Sequence, residues 1–172
     1  MKIKLHITIL LMMVVHHVFA LSNDSEQNIE IEADKAEMDD ANKTTVYRGN
    51  VIVTQGSIKM TGHTMTVHFD KNNDMKLVIL NGSPATYRQL PDNSEVYDRA
   101  EASKMEYYAL KNYIILINDA LVTQEGLTFS GQRIEYDTVL SKVKAEGQSN
   151  KTKKSKNKEE GRVKIIIKKR KK

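Results

Sequence analysis

The sequence has no cysteine and no tryptophan among its 172 residues, and beyond residue 20 no apolar run of membrane-spanning length. The missing run excludes a transmembrane helix in the body of the chain. The first 20 residues, MKIKLHITILLMMVVHHVFA, carry Lys2 and Lys4, an apolar stretch from Ile7 to Val15, and the closing Val18-Phe19-Ala20. A charged start, a short apolar centre and small residues at the end describe a secretory signal cut after Ala20. The apolar stretch is too short to serve as an anchor. Export makes the missing cysteine informative. A secreted small domain without disulfides must rely on its core, which about 130–150 mature residues can supply. A disulfide-framed extracellular module is excluded, and localisation in the bacterial periplasm fits.

The parts of an enzyme are missing too. Only His63 and His68 remain after signal removal, with no cysteine near and no helical ligand spacing, so no metal is expected. There is no phosphate-cradling glycine loop and no nucleophile elbow. The pair Asp39-Asp40 sits beside Asn42 in a turn pattern, where carboxylates cap backbone groups. Glu30, Glu32 and Asp34 form an acidic stripe of the kind a solvated strand face carries. No catalytic residue and no cofactor is expected, and the chain is read as a non-enzyme.

A uniform basic surface is missing as well. The net charge of +5 conceals 13 basic against 20 acidic side chains in residues 21–150, and 12 against 2 in residues 151–172. A nucleic-acid-binding fold carries its basic face within the domain, so no nucleic acid partner is expected. The rival reading, a nucleic-acid binder driven by its basic end, conflicts with export.

What is present is alternation with period two. Ile29, Ile31 and Ala33 share one face against Glu30, Glu32 and Asp34. The same grammar runs through Ile58/Met60, Met65/Val67/Phe69, Leu127/Phe129 and Ile134/Tyr136, with turn signals at 40–43, 55–57, 70–74, 81–84 and 91–93. The chain also repeats itself. Residues 31–69 match 100–138 without a gap at eight identical positions, including Val53-Thr54-Gln55 with Val122-Thr123-Gln124 and Gly62 with Gly131. Such a repeat builds two similar sheet segments around one interior, and an all-β sandwich, jelly roll or barrel is expected.

Residues 1–20 are read as the signal peptide, 21–147 as the domain, 148–160 as a flexible lysine-rich loop, 161–167 as a closing edge strand and 168–172 as a basic tail. A terminal strand as apolar as Val163 to Ile167 either completes the sheet or recruits a partner chain. The interior is mostly Ile, Val, Leu, Met and Tyr. Such a surface suits an ordinary filled core. It equally suits a lipid: each buried methylene is worth about 0.8 kcal/mol, and a chain of about twelve carbons about 10 kcal/mol. Composition leaves both open.

Four segments together, Ile29-Glu-Ile-Glu-Ala-Asp34, Gly49-Asn-Val-Ile-Val-Thr-Gln-Gly56, Ser83-Pro-Ala-Thr-Tyr87 and Ala102-Ser-Lys-Met-Glu-Tyr107, resemble the OstA-like family of periplasmic lipopolysaccharide transport proteins. The resemblance implies a twisted, open β-jelly roll of antiparallel strands with an internal repeat. It implies a bridge carrying lipopolysaccharide, through its lipid A acyl chains, from an inner-membrane ABC extractor to an outer-membrane translocon for outer membrane assembly. It also implies copies joined head to tail through their edge strands. Carried over by position, lipid contact falls on Ile29, Ile31, Tyr87, Tyr107 and Ala109. The alternation adds Val51, Val53, Met60 and Phe129 as groove lining. Arg48, where a small hydroxyl residue is common, and the lysine-rich loop depart from the family pattern. The alternative is a periplasmic structural or interaction module with no lipid cargo.

Overall fold

The computed structural model describes residues 24–92, 94–147 and 161–168. The expected signal, the lysine-rich loop and the tail beyond Lys168 lie outside the described residues. Within them the chain is almost wholly β, as the alternation requires. The strands are β1 (Glu30–Glu32), β2 (Lys35–Asp39), β3 (Thr44–Gln55), β4 (Ile58–Phe69), β5 (Met75–Gln89), β6 (Asp98–Tyr108), β7 (Tyr113–Gln124), β8 (Leu127–Asp137), β9 (Lys142–Glu146) and β10 (Lys164–Ile167). Single 3-10 turns stand at Asp24–Glu26 and Ala109–Lys111.

All ten strands belong to one antiparallel sheet, and from β3 to β8 each strand pairs with the next. Both edges are split. β1 pairs with residues 52–54 of β3 and β2 with 44–48. At the far edge β10 pairs with residues 127–130 of β8 and β9 with 133–137.

The sheet folds over on itself, its two edges left unpaired with each other, because of one line of irregularities. Register shifts fall at Arg48/Val51, Thr61/Thr64, Asn81/Ala85, Glu101/Lys104 and Ile117/Ala120, each level with the next across five consecutive strand pairs. A bulge bends its strand and sharpens the local twist. Aligned bulges therefore fold the whole sheet along a spine, and the two halves of every long strand face a common interior. On β4 the buried set passes from Ile58 and Met60 to Met65 and Val67, a change of parity that keeps both halves apolar side inward. The jelly roll is thus reached by hairpins and a spine of bulges.

The sequence repeat is visible in three dimensions. Tyr113 opens β7 and Leu127 opens β8 at the positions where Thr44 opens β3 and Ile58 opens β4. The spine residues correspond as well. Gly49 and Asn50 have φ of +78° and +44°, and Asn118 and Asp119 have +63° and +52°. Gly, Asn and Asp are the types that accept the left-handed region at small cost. Gly49 has a second reason to lack a side chain, since a Cβ there would run into Asp34.

The core lies between the halves, where Leu80, Ala102, Met105, Ile114, Leu116, Val122 and Ile134 are wholly buried. Outside, ion pairs link Lys104 to Glu106 at 2.7 Å and Lys144 to Glu146 at 2.9 Å. Exposed pairs of this kind contribute at most about 1 kcal/mol each. Among the described residues the edges stay bare. β2 is exposed along its length, and Ile165, Ile166 and Ile167 of β10 are 54%, 45% and 73% exposed.

Candidate binding groove

Opposite the spine, the free ends of the strands meet and form a mouth. A cavity of about 320 Å3 opens there, walled by Gln55, Ile58 and Gln89 from one half and by Tyr107, Ala109 and Thr138 from the other. Its floor is apolar. Ile29, Ile31, Val53 and Met60 face Met65, Val67 and Tyr107 across a narrow slot of about 30 Å3. Alternation aims these side chains inward from β1, β3, β4 and β6, and the bulges bring the two sets opposite each other. A polar lip above an apolar slot suits an amphiphile, tails toward the slot and head at the rim, once the walls part beyond the present slot of about 30 Å3.

The N-terminal segment crosses this mouth. Asp24 is buried, and its carboxylate accepts from the Ser57 N–H at 2.6 Å, the Ser57 hydroxyl at 2.7 Å and the Gln89 side-chain amide at 3.1 Å. Gln55 donates to the Gln27 carbonyl at 3.2 Å. The Tyr87 hydroxyl donates to Gln89 at 2.6 Å, so Gln89 is held from both ends.

The equivalent place in the second repeat is shut. Asp98, 2% exposed, accepts from the Tyr136 hydroxyl at 2.6 Å and from Gln124 at 2.9 Å. Gln124 also donates to the Tyr136 oxygen at 3.2 Å. Asp98 Oδ2, the Gln124 amide nitrogen and the Tyr136 hydroxyl thus partner one another, which is what makes their burial tolerable.

Burial raises the Tyr87 hydroxyl well above its usual range, with Tyr107, Tyr136, Asp24 and Asp98 adding to the effect. Burial also raises Tyr107, with Asp24 second. Tyr136 is raised by burial and then by its bond to Asp98. All three stay neutral across the physiological range and act as hydrogen-bond donors. Among the described residues, no group of three or more His, Asp or Glu side chains is placed to hold a metal ion.

Six of the nine sequence-derived positions gather around the mouth: Ile29, Ile31, Val53, Met60, Tyr107 and Ala109. Val51 and Tyr87 lie in the sealed core at 1% and 2% exposure, because their strands run on toward the spine or beneath the N-terminal segment. Phe129 is half-buried near the other edge, opposite Ile165 of β10. The alternation did not single out Asp24, Gln55, Ile58, Met75 or Val78 as lining. Ile58, Met75 and Val78 carry the same apolar signal as the chosen residues. Asp24 carries none, since a lone carboxylate in a polar leader looks solvated.

Residues 30–142 match the family model described as LptA/(LptD N-terminal domain) LPS transport protein. The chain is 45% identical over 126 residues to the lipopolysaccharide export system protein LptH of Pseudomonas aeruginosa, covering 73% of this chain and 72% of that one. It is 34% identical over 128 residues to the lipopolysaccharide export system protein LptA of Escherichia coli K12, covering 74% and 69%. The crystal structure of Pseudomonas aeruginosa LptH, described as the LptA-homologous periplasmic component of the lipopolysaccharide transport device, superposes with a TM-score of 0.73. That match is 39% identical and covers 84% of this chain and 98% of the other. By family model, sequence and fold together, the chain belongs to the LptA/LptD N-terminal domain family of lipopolysaccharide transport proteins.

Proposed function

We propose that this chain is a non-enzymatic periplasmic carrier that bridges the envelope for lipopolysaccharide, taking it by its lipid A acyl chains. The observation that carries the reading is the mouth between the two half-sheets, where an apolar slot of Ile29, Ile31, Val53 and Met60 lies under a polar rim. Acyl chains lie in the slot and sugars and phosphates stay in water. Each methylene in the slot contributes about 0.8 kcal/mol, enough to prevent escape yet non-directional enough to let cargo slide. Direction comes from ATP hydrolysis by an inner-membrane extractor, and delivery is to an outer-membrane translocon.

Copies join head to tail. The exposed strand β10 offers unpaired backbone groups and Ile165 and Ile167 on the inward face, and β1 and β2 offer the matching free edge. Export through a signal cut after Ala20 belongs to the same proposal.

A photo-crosslinking side chain at Ile31 or Tyr107 in living cells tests the carrier reading. Capture of glycolipid from both positions is expected. Absence of lipid adducts from either, in a folded protein, points to a structural module with a solid interior. Light scattering against concentration tests the joining: mass rises with concentration, and a monomer throughout contradicts it.

A further inference from the structure

Three donors that hold Asp24 converge on one point at the mouth, where the β4–β5 register that pairs Lys59 with Arg88 carries on to set Ser57 beside Gln89 and Leu90. The Ser57 N–H projects from the tight turn between β3 and β4, where Gly56 takes φ +57° and a Cβ on it would strike the Asp24 carboxylate. The Ser57 hydroxyl accepts from the Leu90 N–H at 3.0 Å, which turns its own hydrogen toward the carboxylate. The Gln89 amide arrives from the end of β5, its oxygen already committed to the Tyr87 hydroxyl. These are three preoriented donors around an anionic oxygen pair, at a site already dry enough to leave Asp24 only 6% exposed. Donors fixed in this way favour an anion through charge-assisted hydrogen bonds.

The carboxylate they hold belongs to a strap, not to the sheet. The 3-10 turn Asp24–Glu26 precedes β1, and Gln55 also holds the strap to the sheet through the Gln27 carbonyl. Directly beside it lies the apolar slot, whose wall includes Ile29 of the same segment. An amphiphile lowering its tails into the slot brings its head to the level of Asp24.

We infer that the Ser57 N–H, the Ser57 hydroxyl and the Gln89 amide form an oxyanion receptor, filled here by the chain's own Asp24, which a phosphate monoester on the head of an acylated ligand displaces. Asp24 is then an internal competitor. It occupies the receptor and leaves the slot reachable, so only a ligand whose head brings an anion to Ser57 and Gln89 has to displace it. This rests on the proposed lipid-carrying reading, but the receptor can be tested without a lipid.

The experiment uses the exported chain and its Asp24→Ala and Asp24→Asn variants. In 15N-labelled protein, inorganic phosphate moves the Ser57 amide resonance in both variants and leaves the unaltered chain unmoved at the same concentration. Binding is then measured for a diacylated glucosamine 1-phosphate and for its phosphate-free counterpart. Asp24→Ala tightens the phosphorylated lipid by about tenfold or more, the factor by which a site open one time in ten masks its affinity. The phosphate-free lipid gains less than about threefold. Adding Gln89→Leu to Asp24→Ala removes the difference between the two lipids.

Equal gains for both lipids make the strap a steric cover and overturn the receptor. No movement of Ser57 in either variant overturns it as well. Failure of both lipids to bind any variant, with Ser57 still responding to phosphate, removes the carrier reading and leaves an anion site alone.

Discussion

The two repeats share one architecture and differ at its mouth. In the register of the repeat, Ile29 and Ile31 of the first correspond to Asp98 and Ala100 of the second, Gln55 to Gln124, and Val67 to Tyr136. The first set borders the narrow slot, with Ile29 42% exposed, while Asp98 and Tyr136 are 2% and 1% exposed. A duplicated sheet therefore does not yield two equal grooves. Beside Val67 the interior is left unfilled, whereas Tyr136 reaches across to Asp98 and Gln124 and closes it. The lesson is a division of labour: the Asp98–Gln124–Tyr136 side holds the roll together, and the side bounded by Ile31 and Val67, with Tyr107 on its far wall, can receive a guest.

The largest effect belongs to the open side. Ile31→Glu puts a carboxylate in the slot, where desolvating it against an acyl chain is strongly unfavourable. Because β1 is a short, partly exposed edge strand, the variant stays folded by circular dichroism and loses glycolipid crosslinking altogether. Normal crosslinking from a folded variant would move the cargo away from β1.

Stability should divide the other way. Ile134→Ala, on the sealed side at 0% exposure, lowers unfolding free energy in urea by about 2–5 kcal/mol. Ile31→Ala lowers it by about 1 kcal/mol or less. Equal costs would erase the distinction between a structural and a receiving side.

Next comes the closing cluster. Tyr136→Phe removes the hydroxyl that meets Asp98 at 2.6 Å and leaves a buried carboxylate short of a donor. A loss of about 1–3 kcal/mol is expected, with lipid capture from Ile31 unchanged. A neutral result would show that the cluster is incidental to closure.

The smallest effect is a pH response. Tyr87, Tyr107 and Tyr136 have raised pKa values in the folded protein, chiefly through burial. In the unfolded chain they ionise near pH 10, so above that value the unfolded state binds fewer protons than the folded one. Their contribution is fully present below about pH 10 and is lost as pH rises beyond it. The urea midpoint should fall on the alkaline side, and less steeply in Tyr136→Phe. At the acid end, Glu106 is lowered first by its bond to Lys104, and Glu135 first by the Tyr113 hydroxyl. Both pairs lie near the surface and add only a shallow loss as the carboxylates protonate.

Much of the fold could be read from one sequence. Period-two runs placed Ile58/Met60, Met65/Val67 and Ile134/Tyr136 on inward faces, and the repeat of Val53-Thr54-Gln55 put two similar hairpins in register. The spine was hidden, because a bulge leaves only a change of parity, as between Met60 and Met65, and a Gly-Asn or Asn-Asp pair that reads as any turn. Of the site, six of nine positions gathered around the mouth. Val51 and Tyr87 could not be told from lining residues, since an inward side chain looks the same whether or not another covers it. Asp24 and Asp98 escaped notice for the opposite reason. A carboxylate is expected in water, and its burial depends on donors far along the chain: Ser57 and Gln89 for one, Gln124 and Tyr136 for the other.

The division of labour is tested most directly by diffraction from crystals grown with a diacylated glucosamine phosphate. Acyl density should lie between Ile31 and Tyr107, with none between Ala100 and Tyr136. Chains found at the second place, or a slot still closed and identical with and without the lipid, would contradict it.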